Sequence, residues 1–115
     1  MTSSSIDIKL RLPYHGVYAL GPGKADLLEA IIETGSISGA AKKMGMSYKR
    51  AWDLVNTMNN SFKQVVVTTA TGGSHGGGAE VTKFGQDVLR RYRHIQQLAC
   101  DASRQEAEAL CALLR

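Results

Sequence analysis

The chain has 115 residues, enough for one compact domain and one further helix. Hydrophobic residues make up 43% and charged residues 21%, ordinary globular values that favour neither disorder nor a membrane class, and no apolar run approaches the roughly 20 residues that span a bilayer. The net charge is +4, and all of it lies between residues 36 and 63, where Lys42, Lys43, Lys49, Arg50 and Lys63 are opposed only by Asp53. That permits a nucleic-acid partner.

Residues 6–12, IDIKLRL, alternate apolar and polar, so a half-buried strand is expected there, ended by Pro13. Leu27, Leu28, Ile31 and Ile32 recur at helical spacing and predict a first helix over 24–34. Gly35 suits its stop, and Ser36 suits the N-cap of a second helix reaching about Met44. Gly45 breaks the chain. Ser47 then caps a third helix to about Asn60, with Trp52, Val55 and Met58 expected on its inward face beside Ala51 and Leu54. The β-branched run 65–69 and residues 80–82 predict two short strands around the glycine-dense loop 71–78. From Thr82 a last helical pattern runs toward Leu114.

Strand, three helices, hairpin and long helix make a mostly α chain with a small β-hairpin wing: a winged helix-turn-helix over 1–82 and a C-terminal helix over 83–115. A helix-turn-helix needs small residues where its helices touch and a glycine in the turn. Ala40, Ala41, Gly45 and Ala51 supply them, with Met44, Met46 and Leu54 to fill the space between.

With the third helix in a major groove, its first turns, Ser47, Tyr48, Lys49 and Arg50, face base edges and Arg50 suits guanine. Lys42, Lys43, Ser36 and Ser38 suit phosphates, while Asn56 and Asn59 are weaker candidates further along. Gly73, Ser74, His75 and Gly76 form the wing tip, placed to lie along the backbone or minor groove. The loop lacks the Lys and Ser/Thr of a nucleotide-binding GxxxxGK[ST], and it joins two strands. Neither HExxH nor GxSxG occurs, so no catalysis is expected. No metal or cofactor is expected either. Cys100 and Cys111 have no CxxC spacing and are expected to be free thiols.

Val88, Tyr92, Ile95, Ala99, Ala102, Glu106, Ala109 and Leu113 are spaced alternately four and three, a heptad seam interrupted at Glu106. Little core remains to be covered beyond about residue 98. Val88, Tyr92, Ile95, Ala99, Ala102 and Leu113 are therefore expected to form a homodimer seam, with Arg90, Arg91 and Arg93 on the polar side near phosphates. A twofold dimer presents two reading helices to a palindrome.

Taken together, GSISGAAKKMGMSYKRAW (35–52), TTATGGSHGGGAEVTKFG (68–85) and DVLRRYRHIQQLA (87–99) resemble the N-terminal domain of the molybdate-responsive ModE regulators, itself similar to the LysR-type winged helix. The resemblance implies a dimeric domain that binds operator DNA through 36–44, 47–60 and the wing. Family members that sense molybdate carry C-terminal oxyanion-binding domains. With Arg115 as the last residue, the expectation is the DNA-binding half alone, with any effector supplied by a separate partner.

The function expected is that of a cytoplasmic, dimeric, double-stranded-DNA-binding regulator, a repressor that occludes a promoter. The start MTSSSIDIKL does not read as a secretion signal, and no membrane association is expected. A protein-interaction module on the same scaffold is the competing reading. An oxyanion sensor is a third, for which no site can be located.

Overall fold

The computed structural model describes residues 6–70 and 77–115. In chain order the elements are β1 (Leu12–Tyr14), β2 (Val17–Leu20), α1 (Pro22–Thr34), α2 (Ile37–Met44), α3 (Tyr48–Ser61), β3 (Val67–Ala70), β4 (Gly78–Val81) and α4 (Lys83–Cys111).

The N-terminus departs from expectation. Residues 7–11 form no strand, although Ile6, Ile8 and Leu10 are half-buried and Asp7, Lys9 and Arg11 are exposed. The alternation thus marks an extended segment lying with one side on the body. The strand starts at Leu12 and runs through Pro13, which is tolerated because the two-stranded sheet leaves β1 an open edge. His15 (φ 46) and Gly16 (φ 82) both take the left-handed backbone of a tight hairpin turn, so β2 folds straight back on β1.

α1 begins with Pro22, whose missing N–H is no loss at a helix start. It buries Leu27, Leu28 and Ile31 completely, each stabilising the fold by about 1.5–3 kcal/mol, while Ile32 is left 52% exposed. The two serine caps form as expected: Ser36 Oγ accepts from the Gly39 N–H (2.9 Å) and Ser47 Oγ from the Arg50 N–H (3.1 Å). Gly45 ends α2 in the left-handed region (φ 71). Ala40, Ala41 and Ala51 are buried between α2 and α3, and Met44, Met46 and Leu54 pack against that core.

β3 and β4 pair antiparallel, Val67 opposite Val81 and Ala70 opposite Gly78. The wing is tied to the body at its base. The Ala79 N–H donates to the Gly35 carbonyl (2.8 Å), and the Thr82 N–H to the Val66 carbonyl (2.9 Å). Thr82 Oγ1 also accepts from the Gly85 N–H (2.9 Å), capping α4. Gly85 has no alternative here, because a Cβ would stand 2.3 Å from the Val66 carbonyl oxygen.

α4 has 29 residues, about 44 Å at the rise of an α-helix, and stretches the molecule to 56 Å. It stops at Cys111, short of the expected Leu114. Leu89 and Tyr92 belong to the core cluster, and Tyr92 Oη donates to the Leu10 carbonyl (2.8 Å). Further along, Ile95, Leu98, Leu110 and Leu113 are 52–80% exposed. Cys100 and Cys111 are both half-buried and are not joined in a disulfide. Among the described residues no helix is long and apolar enough to cross a membrane.

Candidate nucleic-acid interface

The orientation of α3 follows from what it buries. Ala51, Val55 and Met58 lie on one line against the core. At about 100° per residue, Lys49, Asp53 and Asn56 must then face directly outward, Tyr48 and Trp52 fall on one flank, and Arg50 falls on the other. All six of these outward and flanking residues are exposed.

Trp52 therefore corrects the expectation that it would face inward. It is 44% exposed, and the small Ala51 holds the inward position instead, where the alanines of α2 bring the two helices too close for an indole. Trp52 and Tyr48 line a cleft of about 370 Å³ together with Ser36 and Ser38 at the start of α2 and with Thr69, Ala70, Gly77 and Gly78 at the wing base. Three residues singled out from the sequence, Ser36, Ser38 and Tyr48, are thus brought into one concave surface. Gly73, Ser74, His75 and Gly76, expected at the wing tip, lie outside the described residues.

The basic side chains divide by side. Lys42 is exposed at the end of α2. Lys43 reaches back to Glu33 on α1, and Lys49 pairs with Asp53 one turn on at 3.2 Å. Both pairs are half-exposed or more, a setting in which an ion pair contributes about 0–1 kcal/mol, so either ammonium can exchange its carboxylate for a phosphate at little cost. Arg50 lies near Lys24 of α1, whose ammonium is held below its usual range by partial burial and by the Arg50 charge. Two cations thus share that flank. Lys24 was missed from the sequence because nothing local to it shows that the first turn of α1 meets the first turn of α3.

Ser36 and Ser47 use their oxygens as cap acceptors, which leaves each hydroxyl hydrogen free to be donated outward. Asn59 has a different role from the DNA contact considered for it. Its Oδ1 accepts from the Val66 and Val67 N–H groups (2.7 and 3.2 Å), and its Nδ2 donates to the Val67 carbonyl (3.0 Å), so the amide clasps the wing strand to α3.

The arginines of α4 make ion pairs within the chain. Arg90 and Arg91 both engage Asp87, whose carboxyl is held below its usual range chiefly by the Arg91 hydrogen bond. Arg93 bridges to Asp26 (2.9 Å) and Glu29 (2.7 Å) on α1, and those bonds push its guanidinium further up. It is a strut between helices. Tyr92 likewise belongs to its own chain's core, while Val88 is half-buried beside it, and the expected seam is open to solvent at Ile95, Ala102 and Leu113.

No family model matches the chain. The transcriptional regulator ModE of Yersinia pestis is 43% identical over 96 residues, covering 81% of this chain and 36% of that protein. The DNA-binding transcriptional dual regulator ModE of Escherichia coli (strain K12) is 46% identical over 83 residues, covering 70% of this chain and 32% of that one. The molybdenum-pterin-binding protein MopA of Rhodobacter capsulatus is 44% identical over 89 residues, covering 77% and 34%. The chain thus spans about a third of the length of these relatives.

Among solved structures, the CbnR DNA-binding domain in its DNA complex superposes with a TM-score of 0.57 at 23% identity, covering 76% of this chain and 95% of that one. The full-length LysR-type regulator LysG of Corynebacterium glutamicum gives 0.58 at 21% identity, covering 82% and 30%. Over its matched residues, this chain is a homologue of the ModE transcriptional regulators, built on the winged-helix fold of LysR-type DNA-binding domains.

Proposed function

We propose that the chain is the duplex-DNA-binding part of a ModE-like transcriptional regulator, acting as a homodimer in the cytoplasm. The observation that carries this is the outward face of α3, with Lys49 at its start and Arg50 on one flank, continuous with a cleft walled by Ser36, Ser38, Tyr48, Trp52 and the wing base. α3 enters the major groove. Lys42 and Lys43 meet phosphates from α2, and the wing at 73–76 follows the backbone. Pairing uses Ile95, Ala99 and Ala102 on the far part of α4 and Leu113 just past its end, the working division being a DNA-binding body over 1–82 and a pairing element over 83–115. Bound across a promoter, such a dimer represses by occlusion. The Escherichia coli relative is named a dual regulator, which supports regulation of either sign.

The test is selection of bound duplexes from a random pool, followed by anisotropy titration over a range of salt. A palindrome is expected, with affinity falling steeply as salt rises and a salt slope shallower by about one unit in Lys42→Ala. Absence of duplex binding at low salt overturns the proposal.

A further inference from the structure

α3 presents a large apolar side chain that its own core leaves uncovered. Trp52 is 44% exposed, and Tyr48, one turn earlier on the same flank, is 55% exposed. The outward face next to that flank, Lys49, Asp53 and Asn56, is polar. An aromatic pair on the flank is a contact waiting for an apolar partner, and the walls of the cleft limit what the partner is. Beyond the two rings, its described lining is Ile37, hydroxyls, a small alanine and glycines with no carboxylate, and Lys42 and Lys49 lie on the helices that form it. That chemistry suits an anionic duplex better than an acidic protein surface.

In the major groove, the thymine C5 methyl is the apolar feature that separates one base from the others. We infer that Trp52 reads a thymine by packing its indole against that methyl, while Tyr48, nearer the start of the helix, packs on the adjoining sugar and donates its hydroxyl to a phosphate. The inference rests on the DNA-binding reading above. It adds a position of base preference that depends on apolar contact and on none of the basic side chains.

Trp52 is the chain's single tryptophan, so its emission reports on this site alone. In a selected duplex each thymine is replaced in turn by deoxyuridine, which removes only the methyl, and binding is followed by anisotropy of labelled DNA. One thymine per half-site is expected to show a loss of roughly fourfold, the factor that burying one methyl-sized group supplies. In Trp52→Ala that loss shrinks below about twofold, and in Trp52→Phe a part of it is kept. Tryptophan emission changes on adding the wild-type duplex.

If the duplex binds with the expected salt dependence but Trp52→Ala keeps the wild-type uracil profile, or emission stays constant, the inference falls and the DNA-binding reading stands. If no duplex binds at low salt, both fall. Should Trp52→Ala fail to fold by circular dichroism, Trp52→Phe and the emission titration decide.

Discussion

The near and far parts of α4 share one unbroken run of helical hydrogen bonds, yet they belong to different environments. Over the first part, Gly85 lies against the wing base, Leu89 and Tyr92 enter the core, and Arg93 reaches Asp26 and Glu29 on α1. Past Arg93, Ile95, Leu98, Leu110 and Leu113 face solvent, and the buried Ala107 lies outside the core cluster. Local pairs such as Arg104–Asp101 (2.8 Å) support that far part. Each such pair contributes only about 0.2–0.5 kcal/mol, and most of a protein helix's stability comes from packing its apolar face. Continuity of a helix is thus no measure of how firmly each turn is held. The near turns are fixed by the body, and the far turns have their apolar side still to be covered.

The largest effect is expected at the junction. Gly85→Val places side-chain atoms where a Cβ already meets the Val66 carbonyl oxygen and Val81 Cγ1, and should lower the urea-unfolding free energy by about 3 kcal/mol. Next comes Tyr92→Phe, which removes the hydrogen bond to Leu10 and should cost about 1 kcal/mol. Burial raises the Tyr92 phenol above its usual value of 10.0, so the folded state favours the neutral form. The stability this gives is intact below that pH and is lost as pH rises through the raised value. Alkaline melting curves should show the loss in wild type and a flatter profile in Tyr92→Phe.

The smallest effect on the fold is expected from Leu110→Glu combined with Leu113→Glu, at under about 0.5 kcal/mol in dilute monomer. The same pair should abolish the proposed dimer in sedimentation velocity. A dimer that survives would place the pairing surface elsewhere, and a large loss of monomer stability would break the contrast between the two parts.

Much of this architecture was legible from local patterns. The serine caps, the turn glycine and the alanine contacts depend on neighbours within a few residues, and each formed as read. The losses came where a pattern admits two causes. Alternation records one-sided burial only over residues 6–10, Leu12 being exposed, and says nothing about pairing, while the true hairpin depends on His15 and Gly16 adopting positive φ. Trp52 and Ala51 are adjacent, so both fit an inward face by spacing, and only the closeness of α2 decides between them. Lys24 beside Arg50 and Asn59 on β3 are tertiary meetings with no periodic trace.

The clasp made by Asn59 has a mechanical consequence. One amide holds the start of the wing strand to α3 through three hydrogen bonds, so helix and strand stand like the jaws of a caliper with its opening set at folding. In the proposed complex, a duplex held by both jaws must match that opening by its own groove width and bend. Preference would then extend to base steps that no side chain touches, favouring sequences that deform cheaply.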